Sequence, residues 1–107
     1  LTQNYSFSDE RLKTDINEIT SAESLEKIVG LSPVNFKWTN ATEEWADKTQ
    51  IGLIAQSVES IVPEVVREDY RLGSTGKYKI VQYENLIPLL IGAIKELKAK
   101  VDALENA

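Results

Sequence analysis

The chain has no cysteine among its 107 residues. That excludes a disulfide framework, a zinc-thiolate cluster and a thiol nucleophile. It has no histidine either, which removes the Ser-His and Cys-His relays, the commonest metal ligand and the usual general base. Basic residues are in short supply: Lys and Arg number 12 against 17 Asp and Glu, for a formal net charge of −5. An acidic chain repels phosphate, so a Lys/Arg-driven nucleic-acid module is not expected. No apolar run approaches bilayer-spanning length, and the opening Leu1-Thr2-Gln3-Asn4 does not read as a signal peptide. What is present is ordinary for a globular domain: 42% hydrophobic and 27% charged residues. The length supports one domain. Any catalysis must draw on Ser, Thr, Lys, Tyr or carboxylates.

Residues 1–13 are polar and aromatic without a sustained period, ending in Ser8-Asp9-Glu10-Arg11-Leu12-Lys13. They read as an extended lead-in and a turn. Thr20-Ser21-Ala22-Glu23 has the form of a capping box, and Leu25, Ile28 and Val29 follow at helical spacing before Gly30. A short helix over about 21–29 is expected. Val34-Asn35-Phe36-Lys37-Trp38 alternates as a half-buried strand does, so Val34, Phe36 and Trp38 should share a buried face. Ile51–Ile54 suggests a second strand. Ala55–Ile61 suggests a helix ended by Pro63, and Val65-Val66 a brief strand. Arg71–Gly76 is a turn by composition, and Tyr78–Tyr83 a last strand.

The clearest periodic signal is the tail. Ile87, Leu90, Ile94, Leu97, Val101 and Leu104 are spaced 3, 4, 3, 4, 3, with Ile87, Ile94 and Val101 at a and Leu90, Leu97 and Leu104 at d. Pro88 sits near the helix start, where its missing N–H costs least. The alternative is an amphipathic helix packed on its own domain, since the pattern runs just under three heptads. The polar remainder (Lys95, Glu96, Lys98, Lys100, Asp102, Glu105) favours a seam between chains. So does size: residues 14–83 leave a small core. A β-branched a with Leu at d would by itself favour two strands.

Three segments together resemble a known family. Ser8-Asp9-Glu10-Arg11-Leu12-Lys13-Thr14-Asp15-Ile16, the stretch Gly52–Val66 with its Ile54-Ala55-Gln56 and Pro63, and Tyr83–Leu90 followed by Ala93–Leu97 resemble the C-terminal intramolecular chaperone domain of phage tailspikes and tail fibres, endosialidase type. The likeness runs from about residue 8 to the end. Ser57 departs from it, standing where the family usually has Glu. A related domain occurs in a membrane-tethered transcription factor of animals, but no DNA-binding or transmembrane part shows here, and the phage reading is preferred.

The resemblance implies an α+β fold: a lead-in and self-cleavage segment (1–13), a small mixed globular domain of short strands and helices (14–83), and a C-terminal helix (84–107) forming a trimeric coiled coil. It replaces the two-strand preference of the seam with a homotrimer, with Ile87, Leu90, Ile94, Leu97, Val101 and Leu104 as its seam. The implied partner is an upstream β-rich fibre or spike region of the same chain. No nucleic acid, membrane, cofactor or metal is implied. Assembly would occur in the host cytoplasm, with release from the mature fibre after cutting. The logic holds physically: intertwined β trimers fold slowly and expose aggregation-prone surface, and a local coiled coil raises the effective concentration of the strands.

The resemblance further implies a self-cleaving serine endopeptidase acting once, with Ser8 as nucleophile and Lys13 as base, and Asp9 and Arg11 as supporting motif residues. Without histidine, lysine is the natural base, and Ser-Lys is a variant of triad logic. Geometry restricts the pair. Five residues apart, the side chains would be separated by about 16 Å in a strand and by about 7.5 Å along the axis of a helix. The segment must turn between them. Lys13 must also be neutral to accept a proton, which calls for exclusion of water, while Asp9, Glu10 and Asp15 oppose it. Chemistry alone describes Ser8-Asp9 as a turn or cap and Lys13 as a solvated charge; the matched motif reverses the preference. Ser6 lacks the following Asp. The cut falls at Phe7–Ser8 if the serine attacks the preceding carbonyl, with Ser8–Asp9 also open; backbone N–H groups are the default oxyanion donors. A non-cleaving structural trimerisation module is the alternative.

Overall fold

Thr20 starts the first helix as its spacing predicts. Its hydroxyl accepts from the Glu23 N–H at 3.1 Å, and α1 runs Ser21–Gly30. The computed structural model describes residues 7–39, 42–44, 46–69 and 78–107; the turn expected at Arg71–Gly76 lies outside them. Two short antiparallel ladders follow α1. β1 (Val34–Phe36) pairs with β2 (Gln50–Gly52), Val34 opposite Gly52, and β3 (Val66–Asp69) pairs with β4 (Tyr78–Val81), Val66 opposite Val81. They are separate two-stranded sheets. Between them α2 (Ala55–Glu59) leads to a 3-10 turn, Pro63–Val65, and a second 3-10 turn, Tyr83–Leu86, leads to α3 (Ile87–Glu105). The mixed helix-and-strand architecture agrees with the α+β expectation.

The core gathers where these pieces meet. Val58, Val62, Val65, Leu86 and Leu89 are buried together, with Ile28, Leu31, Leu53, Ile61, Val66 and Val81 packed against them. The helix expected to run to Ile61 stops at Glu59, before Pro63, and Pro63 instead opens the 3-10 turn that buries Val65. Gln82 N–H then donates to the Val65 carbonyl at 2.8 Å, tying the two 3-10 turns together. Tyr83, expected as a strand end, opens the second turn and reaches back to the end of β2. Its hydroxyl accepts from the Leu53 N–H at 2.9 Å. Gly52 makes this possible, because a Cβ there would sit 2.8 Å from the Tyr83 hydroxyl.

α1 lies against the first half of α3, and small residues set the approach. Ser24 is buried against Gly92, where an added Cβ would lie 2.6 Å from the Ser24 Cβ. Ser21 Oγ donates to Glu96 Oε1 at 2.8 Å. The α3 residues turned inward are Leu89 and Ala93.

One expectation is corrected, and one feature of α1 was not foreseen. Val29 points to solvent while Ser24 is buried, because the close crossing at Gly92 admits only a small side chain. Trp38 does not join Val34 and Phe36 in a buried face: the ladder ends at Phe36 and Trp38 is 55% exposed. Its ring still meets Phe36 edge-on, centroids 4.9 Å apart.

Candidate functional site

The site begins as a problem of reach, and a single turn solves it. Asp9 is extended and caps a 3-10 turn, Glu10–Leu12, its Oδ1 accepting from the Arg11 N–H at 2.8 Å. Leu12 N–H donates to the Asp9 carbonyl and Lys13 N–H to the Glu10 carbonyl, each at 3.0 Å. The chain leaves extended at Lys13. This reversal brings the Lys13 Nζ to 2.7 Å from the Ser8 Oγ. As drawn, the ammonium donates to the hydroxyl; with neutral lysine the same pair of atoms holds a hydroxyl proton donated to nitrogen.

Asp9 and Arg11 form the second half of the turn. Arg11 Nε donates to Asp9 Oδ1 at 3.1 Å and Nη2 to Oδ2 at 2.9 Å, a two-pronged carboxylate fork. Arg11 holds the Asp9 carboxyl below its usual range, first through its guanidinium hydrogen bonds and then through its backbone N–H, and the carboxylate holds the proton on Arg11 more firmly. Downstream, Asp15 takes a left-handed conformation (φ 54°) that short polar side chains tolerate, and Asn17 Nδ2 donates to its carbonyl at 3.1 Å. Ser8, Lys13, Asp9 and Arg11 are thus all brought together within one turn. Sequence spacing missed the fork, although an Asp two residues before an Arg at a turn start was its signal.

This turn is open to water. Ser8, Lys13, Phe7, Leu12 and Ile16 are all exposed in the single chain. The six a and d residues of the tail are exposed as well, from 43% at Leu90 to 77% at Leu104, with Ile91 beside them. α3 therefore does pack on its own domain, but through Leu89 and Ala93, leaving the a/d stripe uncovered. α2 forms an ion pair through Glu59, 2.9 Å from Lys79. Lys79 also lies 3.5 Å from Glu68, and these partners, Glu59 first, hold its proton on. No helix among the described residues is long and apolar enough to cross a membrane.

Comparison with known proteins meets this geometry. A family model that is a peptidase by name and is described as chaperone of endosialidase matches residues 8–67, from Ser8 through the first residues of β3. The chain belongs to that family. Among curated proteins it is similar to long tail fiber protein Gp37 of Enterobacteria phage K3, 33% identical over 102 residues, covering 95% of this chain and 8% of the relative. The Gp37 of Enterobacteria phage T2 is 33% identical over the same length, covering 7% of the relative. Myelin gene regulatory factor-like A of Dictyostelium discoideum is 28% identical over 111 residues, with 12% of it covered. The chain spans less than one tenth of the length of the fibre relatives it matches. The family match stops before α3, whereas the fibre relatives align with 95% of the chain.

Proposed function

We propose that this chain is the C-terminal chaperone of a phage tail fibre or spike, that it assembles as a trimer through α3, and that it frees itself by one Ser-Lys cut. The observation carrying the reading is the 2.7 Å approach of Lys13 Nζ to Ser8 Oγ in a member of this family. The uncovered stripe Ile87, Leu90, Ile94, Leu97, Val101, Leu104 supports association, because an unpaired apolar stripe of that length costs free energy in water. In this reading residues 1–13 are the lead-in and self-cleavage segment, 14–83 the globular chaperone and 84–107 the assembling helix.

The reaction needs no group from outside the chain except water. Lys13 Nζ, once neutral, takes the Ser8 Oγ proton as Oγ attacks the Phe7 carbonyl carbon. The tetrahedral oxyanion falls onto backbone N–H donors, and its collapse breaks the Phe7–Ser8 C–N bond. The departing Ser8 nitrogen receives the proton from Lys13, leaving the Phe7 acyl group as an ester on Ser8 Oγ. Water then hydrolyses the ester, its proton passing through Lys13 to Oγ. Assembly that shields Lys13 from bulk water, while leaving the ester within reach of one water, couples cutting to the trimer, so the domain works before it leaves.

A second reading has its own observation: Ser8 and Lys13 are open to water, as they would be in a structural trimerisation module that keeps the motif without cutting. Mass spectrometry of full-length precursor separates the two. A new N-terminus at or beside Ser8, absent in Ser8→Ala, supports the cut; an intact chain in both supports the structural module.

A further inference from the structure

The charge around Lys13 poses a difficulty that the turn answers. A base must lose its proton, and carboxylates nearby hold that proton on. The charged groups nearest Lys13 along the chain are the carboxylates of Asp9, Glu10 and Asp15 and the Arg11 guanidinium. Among the described residues no other element brings a charged side chain within ion-pair distance of Lys13, and its one side-chain hydrogen bond goes to Ser8. Asp9 is the critical neighbour. It adjoins the serine that Lys13 touches, and it caps the start of the same three-residue 3-10 turn whose far end is capped by Lys13.

We propose that Arg11 is a positioning residue that sequesters Asp9: its fork occupies both carboxylate oxygens and keeps Asp9 from forming an ion pair with the Lys13 ammonium. This rests on the Ser8–Lys13 reading above. The geometry is specific to arginine, since both prongs are filled, at 3.1 and 2.9 Å, while Asp9 Oδ1 also caps the turn. The pair is exposed, so its contribution to folding is small. Its consequence lies instead in which cation the carboxylate meets. Arg11 lowers the charge that Lys13 sees and leaves Asp9 free to shape the turn. The downward displacement of the Asp9 carboxyl is consistent with this, and keeps it charged through the neutral range.

The test is the rate of precursor cutting over a pH series from about 6 to about 10, where Asp9 stays ionised. It compares native full-length precursor with Arg11→Gln, Asp9→Asn and the double variant, and includes Ser8→Ala. Asparagine keeps the cap without the charge. Arg11→Gln should move the midpoint of the profile up by about half to one pH unit, slowing cutting by roughly 3- to 10-fold below the midpoint with the high-pH plateau retained. Asp9→Asn/Arg11→Gln should return the midpoint to the native position, because the Asp9 carboxylate that Arg11 sequesters is gone. Should Arg11→Gln stop cutting at every pH, restoration in the double variant still supports the proposal. An unmoved midpoint in Arg11→Gln overturns it. So does a double variant as slow as Arg11→Gln, which would make the fork a matter of shape. Cutting in Ser8→Ala would overturn the Ser8–Lys13 reading itself, and an Arg11 effect absent while Ser8→Ala is silent would overturn the sequestering role alone.

Discussion

The segment carrying Ser8 and Lys13 and the body carrying α1, α2 and α3 are built on opposite principles. The side-chain hydrogen bonds that shape Ser8–Lys13 are local and polar: a cap over two residues, a fork over the same two, a lysine reaching back five. The body is held by contacts between distant residues, mostly apolar, such as Ser24 on Gly92 and Val58 beside Leu86 and Leu89. A local polar turn in water is worth little stability; a packed core is worth most of it. On the proposed function, chemistry and folding would therefore sit in separable parts of the chain. Changes in the body should melt the domain, and changes in the turn should silence it without melting it.

The largest effect expected is on assembly. Leu97→Lys places a charge at the middle of the exposed stripe, where each copy in a trimer would have to desolvate it. Sedimentation should shift from trimer to monomer at micromolar concentration, while the far-UV circular dichroism of the separate chains keeps its helix signal. A variant still trimeric there would break the link between the stripe and association. Next comes the inner face of the same helix. Leu89→Ala opens a hole in the core and should cost about 2–5 kcal/mol of unfolding free energy, read by denaturant titration at fixed protomer concentration. Gly92→Ala drives a methyl into Ser24 and should cost about 1–3 kcal/mol in the same titration. A neutral Gly92→Ala would show that the α1–α3 crossing relaxes freely.

These two faces of α3 show where the sequence was legible and where it was not. The 3-4 spacing made the helix and its exposed stripe readable, as Thr20 and Glu23 made the start of α1 readable. Leu89 and Ala93 recur at helical spacing too, and nothing in one sequence says which stripe meets its own domain. The partner decides: α1 offers Ser24 to Gly92, and two small residues in distant segments leave no periodic mark. Trp38 failed for a related reason, since alternation continues past Phe36 although the β1–β2 ladder does not. At the site, residue types and the need for a turn were readable from Ser8 and Lys13. The length of that turn and the Asp9–Arg11 fork were not, because they follow from backbone hydrogen bonds at Asp9 and Glu10 that spacing does not encode.

The smallest effect on stability belongs to the turn, and there the account is most exposed to test. Replacing Lys13 by Arg keeps the charge and removes the capacity to act as a base, because guanidinium keeps its proton at any practical pH. The full-length precursor and its Lys13→Arg variant, incubated across a pH series and run on denaturing gels, give the direct measurement. The native precursor should be cut faster as pH rises and Lys13 loses its proton, and Lys13→Arg should stay whole at every pH, with melting within about 0.5 kcal/mol of native. Undiminished cutting in Lys13→Arg would contradict the account and leave Ser8 needing another activating group.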